Sequence, residues 1–181
     1  MSSDVGHAPT LRLFTALWPP PALRSALVSL RDRWQWPAGA AVVDADRLHA
    51  TLHFIGQVPT QRLPTLQDGL DVPMQAVEFR VDPGRQRVWP GGIAVLEFEV
   101  PEPLHALHDH LARALTRLGL RTEDRSWRPH VTFARKAQGA APPGDVADLP
   151  AWHVDGYALV RSVPGRGYET LHRYPAARAE P

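Results

Sequence analysis

Three consecutive prolines, Pro19–Pro21, split the start of this 181-residue chain into two pieces that cannot belong to one element. Ahead of them, Leu11–Trp18 mixes apolar and β-favouring residues and reads as a strand. It must stop there, because proline has no N–H to donate to a ladder. Behind them, Leu23, Leu27, Leu30 and Trp34 recur at i, i+4, i+7 and i+11, an amphipathic helix whose first turn tolerates proline. Leu48–Gly56 reads as a second strand, followed by a short helix between Thr60 and Leu70. Ala76–Val81 and Gly92–Val100 are two further strands separated by a loop rich in Arg, Pro and Gly. The second half repeats the theme. Leu104, Leu107, Leu111, Leu115 and Leu118 predict a long helix stopped by Gly119, and Arg128–Arg135 predicts a strand. Ala137–Pro150 is loop-like, and Trp152–Val163 with Tyr168–Tyr174 predicts a hairpin across Pro164–Gly167. Several connections are too short for parallel crossovers, so the expected class is α+β with largely antiparallel sheets. The order strand–helix–strand in each half points to a duplicated lobe.

Composition narrows the chemistry. Twenty Lys+Arg against 19 Asp+Glu leave a formal charge of +1, too little to coat long stretches of phosphate backbone, though a local basic pocket for a nucleic-acid end fits. Lys136 is the only lysine, so a phosphate grip here would come from arginine, bidentate and permanently charged. The absence of cysteine excludes disulfides, thiolate metal sites and thiol nucleophiles. No run approaches the roughly 18 apolar residues of a membrane span, and Met1–Thr10 lacks the apolar stretch of a signal peptide. The expectation is a cytoplasmic monomer with one bilobal domain over 11–174, between flexible ends at 1–10 and 175–181.

Two tripeptides carry the chemistry: His49-Ala50-Thr51 and His130-Val131-Thr132, one per half and both in strand-like stretches. Residues two apart on a strand project from the same side, so each tripeptide presents an imidazole and a hydroxyl to one spot. An imidazole moves protons and a hydroxyl donates to an anionic oxygen. Two such strands facing each other would make a metal-free site for phosphodiester cleavage. With nine histidines and nine threonines, chance supplies roughly 0.45 His-x-Thr pairs, so spacing alone is weak evidence and the strand context carries the weight.

The segments Arg12–Leu17, Leu48–Gly56 and Arg128–Arg135, with Leu159–Ser162 and Tyr168–Leu171, resemble the 2H phosphoesterase superfamily, in particular the bacterial RNA 2′,3′-cyclic phosphodiesterases also called 2′-5′ RNA ligases. The resemblance implies two pseudo-symmetric α+β lobes, each an antiparallel sheet with helices packed outside, and an active site in the cleft between them. It implies hydrolysis of a 2′,3′-cyclic phosphate at an RNA 3′ end to a 2′-phosphate, with weak reverse 2′-5′ joining and no cofactor or metal. His49 corresponds to the proton donor and His130 to the proton acceptor. Thr51 and Thr132 correspond to phosphate-binding hydroxyls, Arg135 to a phosphate grip and Phe54 to an aromatic against the base. The same site could instead serve another cyclic nucleotide or a 2′-5′ oligonucleotide, or only bind an RNA end or nucleotide.

His53 has no counterpart in the resemblance; simple alternation places it on the side of His49 and Thr51. His105, His108, Asp109 and His110 read as a solvated helix face rather than a metal site. Trp34 falls in helical register with the core. Trp36 and Trp89 are packing residues or base-stacking candidates, and Arg85, Arg87, Arg125 and Arg128 are candidates for a basic rim.

Overall fold

The structure is a computed structural model and describes residues 9–123 and 126–177. Along the chain lie β1 (Thr10–Leu17), α1 (Pro21–Asp32), β2 (Ala41–Val42), β3 (Ala50–Pro59), α2 (Leu63–Gly69), β4 (Val77–Phe79), β5 (Gln86–Trp89) and β6 (Ile93–Glu97). Then follow α3 (Glu102–Arg117), β7 (His130–Arg135), β8 (Trp152–Val154), β9 (Gly156–Val163) and β10 (Gly167–Pro175). The large sheet has the order β10-β9-β1-β3-β7-β6-β5, with β2 also on β7, and β4 and β8 form a separate small ribbon. Every strand ladder is antiparallel, as the short connections require.

The large sheet divides at its middle. β3 and β7 share only the pair Ala50↔Val131, so four strands lie on one side of that seam and β7, β6, β5 and β2 on the other. These are the two lobes. One hydrophobic core nevertheless runs through both, from Leu13 and Leu17 of β1 to Leu96 of β6 and Phe133 of β7. A second, smaller cluster of Phe14, Ala16, Ala158 and Val160 lies on the opposite face of β1 and β9. β1 is therefore buried on both faces, which is why it reads as a continuous apolar run rather than an alternation.

The helices follow their leucines. Leu23, Leu27 and Leu30 of α1 are buried, and Leu104, Leu107, Leu111 and Leu115 form the inward stripe of α3. Trp34 is core: it stacks on Trp36 at 4.9 Å, packs edge-on against Phe133, and its Nε1–H donates to Gln86 Oε1 at 2.6 Å. Arg31 is buried too, because its guanidinium donates to the Val43 carbonyl and pairs with Asp32 at 2.7 Å.

Some sequence expectations are corrected. β5 lies inside the stretch read as a loop. Two apolar residues among four give an edge strand little signal, and its pairing with β6 supplies the order. Trp152–Val163 is two strands in two sheets, β8 on β4 and β9 on β1 and β10. The break falls at Asp155, ahead of Gly156, where a Cβ would sit 2.5 Å from the Tyr174 carbonyl oxygen. Thr10 belongs to β1, Pro175 ends β10, and the Ala176 and Ala177 amides donate to the Asp155 and Met74 carbonyls, so these residues are not frayed ends. Pro9 is described too and accepts the Thr60 amide hydrogen at 2.9 Å, while 1–8 and 178–181 lie outside the described residues.

Candidate active site

The seam between the lobes is also the centre of the two tripeptides, since Ala50 and Val131 are their middle residues. Extending that antiparallel register by one residue sets His49 opposite Thr132 and Thr51 opposite His130. The two histidines then lie on a diagonal, about 7–8 Å apart at the backbone. Ala50 and Val131 are fully buried, so the flanking His and Thr side chains project from the other face. Both rings are held the same way. His49 Nδ1–H donates to the Arg47 carbonyl at 2.6 Å, and His130 Nδ1–H donates to the Arg128 carbonyl at 2.7 Å, each two residues back. A carbonyl only accepts, so Nδ1 carries the proton in both rings and Nε2 is left for chemistry. His49 Nε2 lies 3.0 Å from Thr51 Oγ1.

A phase slip follows each threonine. In the β1–β3 ladder Ala16 pairs with Thr51 and Thr15 with His53, which leaves Leu52 unpaired. In the β6–β7 ladder Val95 pairs with Thr132 and Ala94 with Ala134, which leaves Phe133 unpaired. Both slips fall three residues after the histidine. A bulge of this kind turns the next side chains to the other face. Segments 49–54 and 130–135 accordingly share one burial sequence: half-buried, buried, half-buried, buried, buried, exposed. Phe54 and Arg135, each five residues past its histidine, are thereby delivered to the same cleft. On the β3 side Thr15, itself fully buried, accepts the His53 amide hydrogen at 3.1 Å, satisfying an N–H at the slip.

The resulting cleft is about 180 Å³, and His49, Thr51, Phe54, His130, Thr132 and Arg135 all line it. The sequence did not assign roles to Arg12, Phe14, Val43, Arg47, Ser162 and Tyr168, which complete the wall. Arg12, Phe14, Ser162 and Tyr168 lie in segments that carried the resemblance. Nothing local in the sequence marks Arg47. Among the described residues no carboxylate lines this cleft, so its fixed charge is the guanidinium charge of Arg12, Arg47 and Arg135. Arg12 lies over Phe54 at 5.1 Å and Arg47 over Tyr168 at 5.7 Å. His49 sits among Phe14, Trp18 and Tyr168, with ring centroids 5.1–5.3 Å away. Burial under these rings pushes His49 down from 6.5 to about 4; the hydrogen bond to Arg47 opposes the fall, and the charges of His130 and Arg135 add to it.

His53 is not on the cleft. The slip at Leu52 turns its ring toward α3, where Nε2–H donates to the His108 carbonyl at 2.8 Å and the ring stacks on His108 at 4.0 Å. His108 stacks on Trp127 at 4.6 Å, and His105 meets Trp127 edge-on at 5.8 Å. The expected solvated face holds for His105 and Asp109, which are exposed, and fails for His108, which is covered by His53 and Trp127. Burial lowers the pKa of His53, and burial with the neighbouring His53 pushes His108 down to about 4. Among the described residues, no group of three His, Asp or Glu is placed to hold a metal ion. Of the rim candidates, Arg85 pairs with Glu99 at 2.7 Å and Arg128 with Glu97, while Arg87 is exposed and Arg125 lies outside the described residues. Trp89 packs beside His130 at 4.5 Å between centroids.

Comparison with known proteins places the chain in a family. Residues 19–162 match the model of the 2′-5′ RNA ligase superfamily. The chain belongs to that superfamily. It is 32% identical over 167 residues to an RNA 2′,3′-cyclic phosphodiesterase of Thermus thermophilus, covering 84% of this chain and 82% of the relative. In fold it is similar to Escherichia coli LigT complexed with 3′-AMP, with a TM-score of 0.80, 23% identity, and coverage of 94% of this chain and 100% of the other. It is also similar to TT0787 of Thermus thermophilus, with a TM-score of 0.73, 27% identity, and coverage of 91% and 97%. The two-lobed α+β architecture of this 2′-5′ RNA ligase superfamily member is thus the expected one. No helix among the described residues is long and apolar enough to cross a membrane.

Proposed function

We propose that the chain hydrolyses the 2′,3′-cyclic phosphate at an RNA 3′ end to a 2′-phosphomonoester, without a metal. The observation that carries this is the pair of imidazoles in one cationic cleft, both held through Nδ1 so that Nε2 is the ring atom that exchanges protons. His130 Nε2 takes a proton from water as its oxygen bonds to phosphorus. His49 Nε2 gives a proton to the departing O3′ as the P–O3′ bond breaks. Acid–base assistance of this kind is worth roughly 10²–10⁴-fold. Thr51, Thr132 and Arg135 stabilise the charge growing on the non-bridging oxygens, and Phe54 lies against the terminal base. The cleft's arginines suit an anion and repel a divalent cation, which supports the metal-free reading.

His49 must carry a proton for this role, although burial keeps its ring neutral at pH 7. The arriving phosphodiester anion supplies the opposite charge that raises its pKa. Microscopic reversal, with an RNA 5′-hydroxyl in place of water, gives a 2′-5′ bond without ATP. RNA ending in a 2′,3′-cyclic phosphate, incubated in excess EDTA, tests the proposal. The expected outcome is turnover to a product resistant to a 3′-specific phosphatase, lost in His49→Ala and in His130→Ala. Turnover that requires a metal, or that survives both substitutions, overturns it.

A further inference from the structure

Beside the cleft lies a wider groove of about 690 Å³, which shares Thr51, Phe54, His130, Thr132 and Arg135 with it and continues to Trp89, Trp127 and Arg128. The inner cleft is smaller than the roughly 300–1,000 Å³ of ordinary ligand pockets, and the groove falls within that range. Two indoles line the groove, and both are already fixed. Trp127 Nε1–H donates to the Thr51 carbonyl at 3.1 Å, and one face of its ring lies on His108, nearly parallel at 9°. Trp89 Nε1–H donates to Glu97, and the Arg128 guanidinium sits over its ring at 4.5 Å. An aromatic ring whose N–H is satisfied and whose orientation is set loses little freedom when a base stacks on it. Base–aromatic stacking is strong and tolerant of sequence, because every base has a π-face.

The ribose that carries a 2′,3′-cyclic phosphate has both of those oxygens bound to phosphorus. Its remaining link to RNA is through O5′, so an oligonucleotide must leave the cleft from that side. We infer that the groove is the subsite for the nucleotide on the 5′ side of the terminal one, with Trp127 as its stacking platform and Trp89 as its second wall. The inference rests on the reaction proposed above and names its substrate class, an oligonucleotide rather than a free cyclic nucleotide. Arg128 and Arg135 on the groove lining supply cationic charge for the connecting phosphodiester.

The test compares kcat/KM for 2′,3′-cyclic AMP and for the dinucleotide ApA ending in a 2′,3′-cyclic phosphate, using the full chain. The ratio cancels any effect of Trp127 on the reaction through Thr51. The wild type should prefer the dinucleotide by about fivefold or more, the low end of one base–aromatic stack. Trp127→Ala should bring the ratio close to one. Ser126→Glu, at an exposed position on the groove lining, should also lower it and serves if Trp127→Ala does not fold. A wild-type ratio near one with both substrates hydrolysed overturns the subsite and leaves the reaction standing. So does a preference that survives the substitutions. Hydrolysis of neither substrate overturns the reaction and the subsite together.

Discussion

Opening the aromatic enclosure of His49 should move its titration, and the structure sets both direction and size. A fall from 6.5 to about 4 corresponds to about 3 kcal/mol in favour of the neutral ring, and burial is its largest cause. Three rings provide that burial. Tyr168 is the one that can be removed with least damage to packing, because it is 39% exposed and meets His49 edge-on at 5.2 Å. Tyr168→Ala lets water reach one side of the imidazole. With about a third of the enclosure gone, the pKa should rise by about one pH unit. In the proposed mechanism kcat/KM falls at low pH when a second proton enters the site of the free enzyme, so the acid limb should lie near pH 4 and move up with His49. The limb's position, unlike the absolute rate, does not depend on whether Tyr168 also touches substrate. NMR titration of the histidine ring nitrogens, beside kcat/KM from about pH 3 to about pH 9, reads both quantities. A wild-type His49 titrating near 6.5, or a folded Tyr168→Ala protein in which it stays near 4, refutes the reasoning.

The same linkage reaches stability. His49, His53 and His108 all have folded-state pKa values below the unfolded one, so the unfolded chain binds more protons as pH falls from about 6.5 to about 4. Stability should therefore be full above about pH 6.5 and decline towards pH 4; denaturant midpoints across that range measure it, and His108→Phe, which keeps the ring stack, should flatten the slope. Thr15→Val removes the acceptor for the His53 amide at the slip and should cost about 1–3 kcal/mol, with faster hydrogen exchange at that amide; unchanged exchange would rule out this account of the slip. Gly156→Ala puts a methyl group against the Tyr174 carbonyl and should destabilise by about 1–3 kcal/mol in the same denaturation assay.

The sequence revealed elements wherever one face or one stripe was apolar. Leu23, Leu27 and Leu30 marked α1, and the leucines from Leu104 onward marked α3, because helical burial repeats at a fixed spacing. It hid β5, whose order comes from its partner strand, and it joined β8 to β9, where the break is a close backbone approach rather than a compositional signal. The site was legible as two His-x-Thr pairs, since each lies on a single unslipped stretch of strand. His53 was misplaced because alternation assumes an unbroken ladder, and the unpaired Leu52 reverses the face one residue later. The Trp127 contact with the Thr51 carbonyl spans 76 positions and leaves no local trace.

Duplication and acid–base catalysis make opposite demands on this site. Two copies of one strand segment, with the same carbonyl holding each Nδ1 and the same slip three residues on, produce two imidazoles in equivalent backbone settings. Hydrolysis as proposed needs them unequal at any instant, one protonated and one neutral. The backbone cannot supply that difference, because it is what the two halves share. Side chains do. The position five past the histidine is an exposed aromatic in one half and a guanidinium in the other. His49 lies within a hydrocarbon enclosure, while the ring beside His130 is Trp89 with a guanidinium laid over it. Arg135 adds to the asymmetry from across the seam, since its charge lowers the pKa of the histidine in the opposite half. The symmetric frame therefore fixes where the two imidazoles stand, and the residues that break the symmetry lower the proton affinity of His49, which in the proposed reaction only the substrate's anionic phosphate restores.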